Sequence, residues 1–235
     1  MDNGWEASAG AWLRELGATG DFARRAVLDA PMLARVRAAR PSRALDIGCG
    51  EGRFCRMMAV EGIVTTGLDP TERLLAEARA RHPEGHYVRG RAEALPFPDA
   101  GFDLVVSYLS LIDIDDTEQA VAEMVRVLQP GGRLLVANLS GIASAGVAPG
   151  WAETADGRTG WLIDRYFEAR ADWVEWRGVR IRNWHRPLAD YMTAFLRHGL
   201  TLRHFEEPRP AGETDARSTR YRGIPMFVIL EWGKP

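Results

Sequence analysis

The chain has 235 residues, of which 46% are hydrophobic and 26% charged, and it carries a net charge of −2 at pH 7. That length suits one sizeable α/β core with embellishments rather than two domains. The balanced charge, with no basic block, argues against bulk electrostatic binding to nucleic acid. No apolar stretch reaches the roughly 18 residues of a membrane span, and Met1–Glu6 lacks the basic and apolar regions of a signal peptide. Of the 30 basic residues only Lys234 is a lysine, which reads as the codon usage of a GC-rich genome. The two cysteines, Cys49 and Cys55, have no His or Cys partners at ligand spacing, so no metal site is expected. Reduced thiols in a cytoplasm fit best.

Residues 5–40 read as helices. Trp5, Trp12, Leu13, Leu16, Phe22, Val27, Met32 and Val36 recur at helical spacing, and Pro31 is expected to break the segment. Strands and helices then alternate. Arg43–Ile47 is a strand, Arg53–Val60 a helix, Val64–Leu68 a strand, and Thr71–Arg81 a helix with Thr71 near its cap. His86–Arg89 and Phe102–Ser107 are strands, Thr117–Leu128 a helix, and Arg133–Asn138 a strand. The alternation implies a parallel sheet with right-handed crossovers.

Residues 141–184 leave that pattern. A flexible stretch, Gly141–Gly150, leads into a segment that holds five of the chain's eight tryptophans. Within it Tyr166–Trp176 and Val179–Trp184 read as a hairpin turning at Arg177-Gly178. Pro187–His198 is a helix, Leu200–Phe205 a strand, Glu206–Arg222 a polar loop, and Pro225–Trp232 a final strand.

The chemistry concentrates where the first strand ends, at Ala44-Leu45-Asp46-Ile47-Gly48-Cys49-Gly50-Glu51-Gly52. Glycines at a strand-to-helix turn allow a ligand to approach the backbone closely. The next strand closes on Asp69-Pro70, where an acid is placed to hydrogen-bond both hydroxyls of a ribose. The spacing is G-x-G-x-G rather than the G-x-G-x-x-G of dinucleotide sites. Asp46 just before the loop would repel a pyrophosphate and suit an ammonium or sulfonium. Asp46, Asp69, Ser107 and Asn138 all fall at strand C-termini, around one crevice of such a sheet.

This stretch resembles motif I of the class I S-adenosylmethionine-dependent methyltransferases. Gly90-Arg91-Ala92-Glu93-Ala94-Leu95-Pro96-Phe97 resembles the family's motif after strand three. Phe102–Ser107 resembles its fourth strand, and Arg126–Val136 its helix–turn–strand into strand five. The resemblance covers Arg43 to Asn138 and lies nearest the small-molecule branch related to ubiquinone biosynthesis. It implies a three-layer α/β/α Rossmann-like fold with a seven-stranded sheet of order 3-2-1-4-5-7-6 and strand seven antiparallel. The expected organisation is a single domain, 1–235: a helical cap over 1–40, a cofactor-binding core over 43–139, a substrate-side insert over 141–185 and the rest of the sheet over 186–235. Many relatives carry an acid where this chain has Arg91, so the adenine contact passes to Ala92 or Glu93. His185–Tyr191, Trp12 and the pair Arg24-Arg25 resemble a bacterial subgroup whose cap helix closes over the cofactor.

The cofactor implied is S-adenosylmethionine, leaving as S-adenosylhomocysteine. The resemblance implies cofactor contacts at Asp46, Gly48, Cys49, Gly50, Asp69, Pro70, Ala92, Glu93, Ser107, Trp12 and Arg25. His185 is a candidate general base by its titration range, against a bracing role for the helix that follows it. Asp113 is a second candidate, while Asp115 or Asp116 caps the helix at Thr117. Tyr108, Asn138, Trp173 and Trp184 are candidates for the substrate wall. The expected reaction is methyl transfer to an O, N or C atom of a small hydrophobic or aromatic molecule, by a cytoplasmic monomer or homodimer with no nucleic-acid partner. Three alternatives stand beside it: a cofactor-binding protein without transfer, an RNA or protein methyltransferase, and a dehydrogenase. Ser107-Tyr108-Leu109-Ser110, in place of a base-flipping tetrad, speaks against nucleic acid, and the loop spacing speaks against the dehydrogenase.

Overall fold

A computed structural model describes residues 3–212 and 215–235. Met1 and Asp2 of the expected cap, and Glu213 and Thr214 of the expected polar loop, lie outside the described residues. The helical start is α1, Trp5–Leu16, then a π-helical turn, Ala23–Leu28, running directly into α2, Asp29–Ala39. Pro31 therefore does not break the segment. In the wide turn just before it, the Asp29 N–H donates five residues back to the Arg24 carbonyl.

The core follows the predicted alternation: β1 Arg43–Ile47, α3 Arg53–Val60, β2 Val64–Asp69, α4 Glu72–Arg81, β3 His86–Arg89, β4 Phe102–Tyr108, α5 Thr117–Val127 and β5 Leu128–Leu139. The Asp116 carboxylate caps α5 by accepting from Gln119 N at 3.0 Å. β1 and β4 are buried almost throughout because helices cover both faces. On one face α5 and α7, Leu188–Arg197, bury Val121, Met124 and Phe195 against the sheet. On the other, α2 and α3 bury Met32, Val36 and Met58.

The insert is more ordered than its composition suggests. The stretch expected to be flexible forms a single helical turn, α6 Gly141–Ser144, and a strand, β6 Gly146–Glu153, that pairs antiparallel with β7 Thr159–Ile163. The second hairpin, β8 Arg170–Trp176 with β9 Val179–His185, begins later than predicted. It turns where expected, with Arg177 at φ 46° and Gly178 at φ 82°. Two successive positive φ values give the turn whose twist matches paired strands.

The chain ends in β10 Thr201–Glu206, α8 Ala216–Gly223 and β11 Phe227–Gly233. α8 corrects the expectation of an unbroken polar loop over 206–222; Asp215 starts it by accepting from Ser218 N at 2.7 Å. Among the described residues the main sheet has seven strands in the order β10-β11-β5-β4-β1-β2-β3. β11 runs antiparallel between β5 and β10. With the insert strands set aside this is the expected 3-2-1-4-5-7-6. No described helix is long and apolar enough to cross a membrane.

Cap and insert are joined. Ser8 Oγ donates to Arg180 O and accepts from Arg180 N, each at 2.9 Å, and Arg182 N donates to Asn3 O at 3.0 Å. Ala9, Trp12 and Leu16 of α1 share one apolar cluster with Val179 and Ile181 of β9 and Leu74 of α4.

Candidate active site

The glycine loop is shaped by the strand beside it. Gly48 N and Cys49 N both donate to Leu68 O, at 2.7 and 3.0 Å, which folds the chain over the tip of β2. Gly48 sits at φ 73°, and a Cβ there would stand 2.3 Å from Ser110 Cβ. Gly50, at φ 55°, has nothing within 4 Å of where its Cβ would be. Asp69 then pins the loop: Oδ2 accepts from Gly50 N at 2.9 Å and Oδ1 from Thr71 N at 2.8 Å. Each oxygen keeps acceptor capacity beyond these bonds.

Asp46 faces the same pocket and is only 1% exposed. Its Oδ2 is 3.6 Å from the Cys55 thiol, and its Oδ1 has no hydrogen-bond partner among the described residues. Burial pushes its pKa up to about 7, and nearby Asp69 adds to the effect while Arg24 opposes it. An orphaned, nearly desolvated carboxylate oxygen is costly unless a cation or donor meets it.

Arg24 supplies the opposite charge. Its guanidinium lies 5.0 Å from the Trp12 ring centroid and 5.7 Å from that of Tyr108, and it pairs with Asp21 at 2.8 Å. Tyr108 donates to Asp29 Oδ1 at 2.9 Å, and Arg53 donates to both Asp29 oxygens at 2.9 and 2.6 Å. This ties the tip of β4 to the cap. Burial raises the Tyr108 pKa well beyond the usual phenol range. Pro70, Leu74, Ala92 and Ile114 line the same pocket. There Arg91 pairs with Glu93 at 2.9 Å, so the guanidinium that replaces an acid is engaged by the next acid along.

Asp113 lines the pocket too. Asn183 Nδ2 donates to its Oδ1 at 2.6 Å. Burial pushes its pKa up to about 8, against the pull of hydrogen bonds from Trp5 and Asn183.

Of the residues singled out from sequence, the pocket gathers Trp12, Asp46, Gly48, Cys49, Gly50, Asp69, Pro70, Ala92, Glu93, Tyr108 and Asp113. It does not gather six others. Arg25 is exposed and Arg24 takes the pocket position. The extra residue of the π turn shifts the helical phase there, which 3.6-residue counting misses. Ser107 lies fully buried beneath the pocket, sharing a 2.7 Å hydrogen bond with Ser110 Oγ, which itself donates to Ile47 O at 2.6 Å. Asn138 is buried behind the wall. Trp173 is covered on one face by Arg180 at 4.1 Å, and Trp184 donates to Asp115 at 3.0 Å.

His185 is 2% exposed, with Nε2 at 2.8 Å from Tyr166 O and Nδ1 at 2.8 Å from Ser144 Oγ. Since the carbonyl only accepts, Nε2 donates to it and Nδ1 accepts from Ser144. Both nitrogens are engaged, and burial lowers the pKa. This is the bracing arrangement, knotting α6, the 164–169 connector and β9. Trp5, Arg24, Arg53 and Ser110 also line the pocket; of these, only Arg24 was marked in the sequence as lying toward the cofactor, as one of an arginine pair.

The site fits S-adenosylmethionine. The orphaned Asp46 oxygen awaits a positive group, the space beside Gly50 admits a ligand against the backbone, and Asp69 keeps free lone pairs for hydroxyls.

Residues 45–136 match the family described as Methyltransferase domain. A malonyl-[acyl-carrier protein] O-methyltransferase from Enterobacter lignolyticus is 41% identical over 109 residues, 46% of this chain and 43% of the relative. A demethylmenaquinone methyltransferase from Renibacterium salmoninarum is 37% identical over 117 residues, 50% of this chain and 47% of the relative. The chain thus spans about half the length of the curated relatives it matches. The crystal structure of an S-adenosylmethionine-dependent methyltransferase from Mesorhizobium loti is 32% identical and superposes with a TM-score of 0.74, covering 86% of this chain and 96% of that one.

Proposed function

The chain belongs to the S-adenosylmethionine-dependent methyltransferases, and we propose that it transfers a methyl group to an O, N or C atom of a small hydrophobic or aromatic molecule. The observation that carries this reading is the pairing of Asp46 and Asp69 on one pocket, with an orphaned oxygen on the first. Asp46 receives the cofactor's ammonium and Asp69 its ribose hydroxyls. Gly48, Cys49 and Gly50 bring backbone to the amino-acid part, and Arg24 meets the carboxylate. Ala92 and Glu93 border the adenine. Bound there, the cofactor supplies a methyl group already activated by its sulfonium charge.

What remains for the chain is to orient the acceptor, exclude water and receive a proton. Trp5 and Trp12 stand edge to face at 5.5 Å over the pocket and form its aromatic cover. Asp113 is the proton acceptor. Residues 1–235 act as one domain, because cap and insert share a cluster with α4 of the core. The relative named for demethylmenaquinone supports a small molecule rather than a nucleic acid as acceptor. The buried free thiols Cys49 and Cys55 suit a reducing cytoplasm.

The test is a transfer assay with methyl-labelled S-adenosylmethionine against separate small-molecule, RNA and protein fractions. Label should enter the small-molecule fraction and vanish with Asp69→Ala. Label confined to RNA or protein, or no turnover with any fraction, would contradict the reading.

A further inference from the structure

Among the described strands β7 pairs with β6 alone, so its far edge is open. Two backbone bonds show which groups face each way. Arg158 O accepts from Thr154 N at 2.7 Å, and Asp164 N donates to Ala145 O at 3.2 Å. Both bonds lie on the β6 side. Successive residues of an antiparallel strand turn their N–H and C=O to alternate edges. Thr159, Trp161 and Ile163 therefore present theirs to the open edge.

Exposed edges are commonly guarded by lysine, proline or an inward charge. The stretch Thr159–Ile163 has none of these. It exposes Leu162 at 43% and Ile163 at 46% instead. The Trp161 ring packs on the insert itself, edge to face with Trp151 at 5.2 Å and donating to Ile142 O at 3.1 Å. That anchoring fixes the face on which Leu162 stands.

The sequence along this edge is self-complementary. When two β7 strands pair antiparallel about Trp161, Thr159 meets Ile163 of the second copy, Gly160 meets Leu162, and Arg158 meets Asp164. Opposite charges then face each other at both ends. Parallel pairing in register would set Arg158 against Arg158 and Asp164 against Asp164, which is unfavourable. Because Arg158 and Asp164 turn their backbone groups to β6, they form a non-hydrogen-bonded pair between copies, the arrangement that brings side chains closest. Both side chains are exposed and now pair within their own turns, Arg158 with Asp156 at 2.7 Å and Asp164 with Arg165 at 3.9 Å. Such exposed pairs are weak and can be exchanged at little cost.

We propose that two copies of this chain join through β7, antiparallel about a two-fold axis at Trp161, so that the two β6–β7 hairpins make one four-stranded sheet. Backbone groups of Thr159, Trp161 and Ile163 supply the ladder, and the Arg158–Asp164 pairs supply the register. A two-stranded hairpin is marginal alone, and four strands hold better. The same patch serves both copies, so the contact closes at two. It stands apart from the cofactor pocket, since no residue of β6 or β7 lines that pocket.

The experiment is sedimentation of the full chain over a concentration series, with the melting transition followed for each variant. Wild type should sediment as a dimer. Thr159→Pro removes an outward N–H and spares the bonds to β6, a position where an edge strand tolerates proline; it should leave a folded monomer. Arg158→Asp and Asp164→Arg should each weaken the dimer by about tenfold, because each sets like charges opposite at both ends. The two substitutions combined in one chain should restore it. A wild type that stays monomeric up to about 0.1 mM, a dimer undiminished in Thr159→Pro, or single substitutions that the combination fails to rescue would overturn the proposal.

Discussion

Asp46 carries the most informative prediction at the scale of single residues. Its folded pKa near 7 lies well above the ordinary carboxylate value, so near neutrality much of the empty protein holds a proton there. A ligand ammonium favours the anion, so binding S-adenosylmethionine should release that proton. Affinity should therefore fall as pH drops below 7, and calorimetric heats should depend on the buffer's ionisation enthalpy. Asp46→Asn should abolish that buffer dependence. A second prediction separates the arginine pair. Arg24→Ala should weaken cofactor binding by about tenfold or more, the scale of a partly desolvated ionic contact, while Arg25→Ala should leave the affinity unchanged. Asp46, Asp69 and the glycines were legible because a strand tip followed by a tight turn leaves few residue types that fit. Arg24 was not distinguished from Arg25 because the π turn sits inside an otherwise ordinary helical pattern.

At the scale of elements, the informative contact is between α1 and β9. Ser8 makes a reciprocal pair of hydrogen bonds with the Arg180 backbone although 172 positions separate them. Ser8→Ala would leave a part-buried N–H and C=O without that partner, at a cost of about 1–3 kcal/mol. Hydrogen exchange should then quicken in α1 and β9 together and leave β1 and β4 as slow as before. The neutral His185 knot has a pH signature of its own. Its folded pKa is lowered from the ordinary histidine value, so the stability it contributes is present above roughly pH 6.5. That stability is lost as pH falls through the folded value. His185→Phe should remove this acid sensitivity and loosen the insert without the change in the acid-side limb of the activity profile that loss of a general base would produce. The hairpin β8–β9 was legible from its turn and alternation. The β6–β7 pair and α6 were not, because Gly141–Gly150 reads as flexible by composition, and tertiary contacts order it. Gly141 sits against Tyr166 so closely that a Cβ would stand 2.6 Å from the hydroxyl.

For the whole molecule, the pocket trades stability for function. Asp46 and Asp113 are both raised in the folded chain. Their contribution to stability is therefore fully present below the unfolded carboxylate pKa of about 4 and is lost as pH rises through 7 to 8. Thermal melting of the empty protein should decline from pH 6 to pH 9, and Asp113→Asn should flatten that decline. The alternating core was legible because apolar runs and glycine-rich turns admit few topologies, while its strand order was legible only as what the family resemblance implies. The partnership of cap and insert was not, since no local pattern in 5–16 or 179–185 announces the other. Adjacent strand tips place Asp46 and Asp69 by topology. Which residues line the pocket beside Asp113 depends on how α1 and β9 meet, and His185, Trp173 and Trp184 lie outside that lining.

The most direct measurement of the central claim is calorimetric titration of S-adenosylmethionine and S-adenosylhomocysteine into the wild-type protein, Asp69→Ala and Asp46→Asn. The account predicts saturable one-site binding of both ligands to wild type. It predicts binding lost in Asp69→Ala, and in Asp46→Asn weakened for both ligands while the melting transition is kept. No binding to wild type, or binding indifferent to both substitutions, would contradict it.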